Sequence, residues 1–329
     1  MSTESVKYLQ YIATVRRYSE RTRAVYEDVL KDFEDFLSEG EEGEPDVISG
    51  LTPQMVRSYE VHLLDARKLS SRTVNLHLSV LSGFCRFLMM SGSINSNPVR
   101  LVTRPKTEKR LPEFYRDASM DEYFLGTAHS ASRDELDILR TFSSPCQSDR
   151  AARALYERRL RRLIVSLLHA TGIRRAELIG LNVADCDFSR GMLKVNGKGD
   201  KMREVPLVGE VADEIELYLE AAEHFFGCGR EGSRPLLLTP AGARLYPVYV
   251  DRAIKTELGG ASGITGRKSP HVLRHTLATS LLNDGSDLNS IKELLGHSSL
   301  AATQVYTHNS IEKLKKVYSQ AHPRASKDK

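Results

Sequence analysis

The chain has 329 residues, 40% hydrophobic and 27% charged, which is ordinary for a soluble globular protein and long enough for two domains. Its net charge of +4, from 47 Lys and Arg against 43 Asp and Glu, is too even to announce a polyanionic partner by itself. No apolar run approaches the length needed to span a bilayer and the opening MSTESVKYLQ has no signal-like hydrophobic stretch, so cytoplasmic residence is the expectation.

Cys85, Cys146, Cys186 and Cys228 are scattered without a C-x-x-C pair. That argues against a zinc site or a disulfide framework, and for reduced, mostly buried thiols. The first hundred residues are predicted to be helical. Tyr26, Val29, Leu30, Phe33 and Leu37 recur at three- and four-residue steps behind Ser19, a capping residue. The acidic stretch DFEDFLSEGEEGEPD, 32–46, reads as a solvated helix end and loop. Thr52 and Pro53 suit the N-cap and first position of a helix over 51–65. A third helix carries Val74, Leu78, Leu81, Phe84, Cys85 and Leu88 and stops at SGSINSNP.

Residues 98–112, PVRLVTRPKTEKRLP, hold three prolines and no apolar period, with five basic residues between Arg100 and Arg110. The stretch reads as an extended linker, suited to a protein that closes around duplex DNA and equally to a solubilising hinge. The expected organisation is a helical domain over 1–100, a basic linker over 101–112 and a second domain over 113–329.

In that second domain, Leu160, Leu163, Ile164, Leu167 and Leu168 mark a long helix over 150–170, and YERRLRRL, 156–163, adds four arginines, either a DNA-facing patch or a solvated face. Leu193 and Val195 alternate opposite Val205 and Leu207 around a glycine-bounded turn, predicting a β-hairpin over 191–207. Leu273, Leu277 and Leu281 stripe a helix that Gly285 stops. DLNSIKELLGH repeats the device with Asp287 as cap and Gly296 as terminator. The predicted class is mostly α with a small sheet.

Six residues carry potential chemistry: Arg174 in TGIRRAELIGL, Lys198 in NGKGDK, His271 and Arg274 three apart at a helix start, His297 after Gly296, and Tyr306. Singly each has an ordinary reading: Arg174 paired with Glu177, Lys198 a solvated turn residue, His297 a cap, Tyr306 a core aromatic. Together they suit one task. Two arginines hold the non-bridging oxygens of a phosphodiester, histidines share protons near neutrality, a lysine protonates a leaving oxygen and a tyrosine hydroxyl attacks phosphorus. The GKG triplet is no P-loop, because that motif needs Gly at 192 and Ser or Thr at 199, where Met192 and Gly199 stand. No carboxylate cluster has two-metal spacing. No cofactor and no metal are expected, with a site among His271, His275, His297 and His308 the weaker alternative.

TGIRRAELIGL, NGKGDKMREVPL, HVLRHTLATSLL and LLGHSSLAATQVYTH, in that order and spacing, resemble the tyrosine recombinase (phage integrase) family, and within it most of all the Xer recombinases. LSSRTVNLHLSVLSGFCRFL and NSNPV resemble the family's helical core-binding, SAM-like domain, and SIEKLKKVYSQAHPRA its carboxyl-terminal tail, 309–329 here. The resemblance implies an α+β catalytic domain with a small antiparallel sheet. It implies that Tyr306 attacks a scissile phosphate to leave a 3′-phosphotyrosyl link and a free 5′-hydroxyl. Arg174, Arg274 and His297 would stabilise the phosphorane-like state, His271 would accept and return a proton, and Lys198 would be the general acid, without metal or ATP. Implied partners are duplex DNA with paired sites, the same or a paralogous recombinase in a tetramer, and an accessory DNA translocase or architectural protein, with no membrane and a nucleoid-associated location. The implied task is chromosome dimer resolution, or integration or inversion of a mobile segment. A DNA-binding regulator without turnover and a monomeric nicking–closing topoisomerase are the alternatives.

Two departures stand out. Ala176 replaces the serine usual before the glutamate, and 126–155, GTAHSASRDELDILRTFSSPCQSDRAARAL, is longer than the usual connection. It reads as a loop joining two short helices, facing DNA, a neighbouring subunit or neither. No additional amino-terminal arm-binding domain is expected.

Overall fold

A computed structural model describes residues 1–38, 46–107, 113–197, 202–229 and 231–296. The chain divides into two compact units, Met1–Arg110 and Leu111–Lys329. The first is helical: α1 (Thr3–Thr14), α2 (Glu20–Ser38), the single turn α3 (Val47–Gly50), α4 (Pro53–Val61) and α5 (Ser71–Met90). The caps follow the side chains. Ser19 accepts from the Thr22 amide, Thr52 from Met55 with Pro53 behind it, and Ser70 from Thr73, each satisfying a donor the first turn leaves open. Val29, Leu30 and Phe33 of α2 and all six predicted apolar residues of α5 are buried in one core, with Tyr26 and Leu37 packed at its edge. Helix α1 adds Tyr8 and Ile12 to it. Gly83 is required where Tyr8 crosses α5, since a Cβ there would lie 2.6 Å from the tyrosine oxygen.

Three expectations for this unit need correction. Helix α5 is, among the described residues, long and apolar enough to cross a membrane by length and composition; its apolar face lies in the first unit's core instead. Glu34, within the stretch read as solvated, is buried and accepts from Ser2 and Ser5 hydroxyls, both at 2.7 Å; residues 39–45 of that stretch lie outside the described residues. The basic segment is also not free along its length. Val102 is buried, Arg104 donates to Ser79 Oγ at 2.8 Å and the Pro105 carbonyl accepts from Asn75 at 2.9 Å, seating the segment on α5.

The second unit is built on α8 (Arg150–Thr171), against which α10 (Gly209–Phe226), α11 (Pro247–Gly259) and α12 (Pro270–Asn283) pack. The remaining α-helices among the described residues are α6 (Asp117–Gly126), α7 (Arg133–Arg140), α9 (Arg175–Gly180) and α13 (Leu288–Leu295). The predicted hairpin is β2 (Met192–Asn196) paired with β3 (Met202–Pro206), in a register that sets Leu193 against Val205. A two-residue strand, β1 (Cys186–Asp187), extends it into an antiparallel sheet β1-β2-β3. The fold class is therefore the expected one: mostly helical, with a small antiparallel sheet in the second unit.

The arginines of 156–163 do not form a free cationic face. Arg162, buried, pairs with buried Glu214 at 2.5 Å, and Glu214 accepts from Ser166 at 2.8 Å. Arg159, also buried, donates to the Ser132 carbonyl at 2.6 Å; Arg158 pairs with Glu135 and Arg161 with Glu257. Buried guanidinium groups need such partners, because an unpaired charge in the interior is expensive. These pairs knit α8 to its neighbours.

The long 126–155 region belongs to the same fabric. Leu136 and Leu139 of α7 and Cys146 after it are buried in the unit's core, and α7 lies on α10. Arg133 and Arg140 both reach Glu220, at 2.8 and 2.7 Å, while Ser144 Oγ donates to the His224 carbonyl and the Cys146 amide to that of Phe225. Of the cysteines, Cys85 and Cys146 are buried, Cys186 is half-buried and Cys228 is exposed; all four are free thiols.

Candidate active site

Helix α8 ends at Gly172, whose φ of +61° is the left-handed conformation that favours glycine. A Cβ there would meet Leu295 at 2.6 Å and Leu277 at 2.9 Å, so the glycine also lets α12 and α13 close over the turn. Two residues later Arg174 stands at the N-cap of α9. Its amide donates to Glu177 Oε2 and its Nη1 to Glu177 Oε1, both at 2.8 Å, and its Nη2 reaches the Gly296 carbonyl at 2.9 Å.

Arg274, on α12, approaches from the other side. It is buried; its Nη1 donates to the Gly172 carbonyl at 2.5 Å and its Nη2 to the Leu295 carbonyl. Arg174 and Arg274, a hundred residues apart, thus grip successive carbonyls at the end of α13. That end is fixed by Gly296 at φ +62°, and Asp287 caps the start of the helix by accepting from Asn289 and Ser290 amides.

His271 lies one turn before Arg274, at the exposed start of α12. Partial desolvation, and then the positive charges of Arg175, Arg267, His275 and Arg274, hold its imidazole below the usual value. It opens on a cleft lined by Arg175, Lys255, Arg267 and Lys268, where Asp251 is paired with Arg175. Burial, followed by repulsion from Arg174, pulls Arg274 down to about 10, which still leaves it charged at neutral pH. Among the described residues no group of His, Cys, Asp and Glu gathers closely enough to hold a metal ion. Lys198, His297 and Tyr306 lie outside the described residues, as do the rest of 198–201 and of 297–308 and the 309–329 tail.

The structure adds one residue to those read from the sequence and changes the weight of another. Arg203 of β3 is buried and grips both oxygens of Glu177, Nη1 to Oε1 at 3.0 Å and Nη2 to Oε2 at 2.8 Å, while its Nε donates to the Leu294 carbonyl at 3.3 Å. Glu177 is therefore shared by two arginines. Burial pushes its carboxyl up, but the Arg203 and Arg174 hydrogen bonds prevail and hold it at about 2. The signal for Arg203 was available: it falls on the inward face of the same alternation that buries Val205 and Leu207, where a charge needs a buried partner. For Glu177 the signal was its spacing from Arg174.

Comparison with known proteins identifies the family. Residues 147–313 match the phage integrase family and residues 6–92 the N-terminal SAM-like domain of phage integrases. Tyrosine recombinase XerC of Chlorobaculum tepidum is 34% identical over 328 residues, covering 97% of this chain and 94% of that protein; XerC of Bacillus subtilis is 32% identical over 324 residues, covering 97% and 96%. In fold the chain is similar to the lambda integrase 75–356 dimer bound to a COC′ core site, with a TM-score of 0.60, 21% identity and coverage of 91% and 92%. It is also similar to the Tn1549 transposon integrase in complex with transposon right-end DNA, with a TM-score of 0.63, 18% identity and coverage of 96% and 99%. A chain with two arginines converging on the turn before a histidine, and with relatives matched over nearly its whole length, belongs to the phage integrase family of tyrosine recombinases.

Proposed function

We propose that the protein is a site-specific DNA recombinase in which Tyr306 attacks a scissile phosphate, forming a Tyr O–P bond as the P–O5′ bond breaks. Arg174 and Arg274 bind the non-bridging oxygens as charge builds on them, together with His297; His271 takes the tyrosine proton and Lys198 gives one to the departing 5′-oxygen. The ester preserves the phosphodiester's free energy, so the 5′-hydroxyl of a partner strand reverses the step without ATP. The single observation that carries the reading is the convergence of Arg174 and Arg274 on the carbonyls of Gly296 and Leu295, immediately before His297.

On this reading residues 1–100 form the core-binding domain, 101–112 the basic connection and 113–329 the catalytic domain. The assembly is a tetramer of this chain, alone or with a paralogue, on two duplex sites, helped by a translocase or architectural protein, in the compartment that holds the chromosome. The XerC relatives favour resolution of chromosome dimers over integration or inversion. Trapping covalent protein–DNA adducts in cells and sequencing the joined DNA, with Tyr306→Phe as control, tests the proposal. Tyr306-dependent adducts at one locus remote from the gene are expected. Adducts at repeats near the gene would replace resolution by inversion or integration, and DNA occupancy without adducts would overturn the recombinase reading.

A further inference from the structure

Arg203 is buried, yet it joins three segments that the proposed chemistry needs in register. Its guanidinium grips both oxygens of Glu177, the carboxylate that orients Arg174 through that residue's amide and Nη1. Its Nε holds the Leu294 carbonyl, and a Cβ on Gly296 would stand 3.1 Å from the guanidinium, so the end of α13 rests directly on it. Arg203 itself lies on β3, five residues after Lys198 in the sequence.

We propose that Arg203 is a positioning residue for strand cleavage, fixing Arg174 through Glu177 and fixing the helix end that leads into His297. The inference rests on the recombinase reading above. Charge balance alone does not account for the geometry. A lysine would neutralise Glu177 with one point charge, whereas the arginine fork meets two carboxylate oxygens and still has a donor for Leu294. Displacing a catalytic group by about an ångström costs on the order of 100-fold in rate.

The test uses the full chain and a nicked duplex carrying the site recovered from wild-type adducts. DNA binding and single-turnover cleavage are measured for Arg203→Lys, Arg203→Met and the double variant Arg203→Met/Glu177→Gln. Arg203→Lys is expected to bind DNA as the wild type does and to cleave on the order of 100-fold more slowly. The double variant, which leaves no buried charge unpaired at this pair, is expected to fold and remain slow. A 5′-bridging phosphorothioate, whose sulfur leaves without a proton, is expected to restore cleavage to Lys198→Ala but not to Arg203→Lys. Wild-type cleavage rates in Arg203→Lys, recovery in the double variant, or rescue of Arg203→Lys by the phosphorothioate would each overturn the proposal. Should the methionine variants fail to fold, Arg203→Lys decides alone. A wild-type protein that makes no adduct would instead defeat the recombinase reading, so the two failures are distinguishable.

Discussion

Replacing Glu177 by Gln keeps the side chain's shape and removes the charge held between Arg174 and Arg203. Glu177 is buried, and burial by itself raises its pKa; the Arg203 and Arg174 bonds reverse this and hold it at about 2 against an ordinary 4.5. Because the folded value lies below the unfolded one, the stabilisation is complete above about pH 4.5 and is lost as pH falls towards 2. That displacement corresponds to about 3 kcal/mol, of which about 2 are gone by pH 3. Glu177→Gln lacks this contribution at every pH and leaves Arg203 facing a neutral amide. Denaturant unfolding of the wild type and the variant, followed by circular dichroism from pH 7 to pH 3, should show the variant weaker at neutrality and the gap closing by about 2 kcal/mol at the acid end. A gap that stays constant would refute the assignment of Glu177 as a carboxylate held by these arginines.

Gly172→Ala should cost more than about 1 kcal/mol, because alanine resists the positive φ there and its methyl would collide with Leu295 and Leu277; thermal unfolding measures it, and a neutral result would mean that the turn relaxes freely. Arg158→Gln combined with Arg161→Gln should leave the salt dependence of DNA binding unchanged, since both side chains pair within the second unit. A fall of about 0.9 in the log–log slope for each arginine removed would instead make them phosphate contacts. Iodoacetamide should modify one thiol of the four rapidly, at exposed Cys228, because burial pushes Cys85 and Cys186 up to about 12; mass spectrometry showing a second fast site would contradict the burial.

Elements whose signal is local were legible in the sequence. The apolar periods of α2, α5, α8 and α12, the caps at Ser19, Thr52 and Asp287, and the alternation of the hairpin all depend on neighbours a few residues away. What required the fold was the destination of charge. Arg159 and Arg162 read as a basic run because Ser132 and Glu214, which hold them, are 27 and 52 residues distant. Likewise 126–155 announced a loop between two short helices, whereas the loop joins α7 to the long α8, and the seat of α7 on α10 had no local sign because the Glu220 that receives Arg133 and Arg140 is 80 or more residues distant. Arg174 and Arg274 were singled out in the sequence by their motifs, and the structure brings them to one place. Their meeting point is set by Gly172 and by the end of α13, which no spacing encodes.

Two guanidinium groups, Arg174 and Arg203, share the Glu177 carboxylate, and a third, Arg274, lies close enough to be repelled by both, so the described residues here carry more positive than negative charge. An anion that enters is therefore bound to the folded state in preference to the unfolded chain, and occupancy and stability rise together. Dissolved salt acts on this arrangement in two opposed directions. It weakens the hold on a DNA backbone, and it also screens the mutual repulsion of Arg174, Arg203 and Arg274. The conditions that relieve the repulsion among these arginines are thus also those that weaken any hold on a DNA backbone.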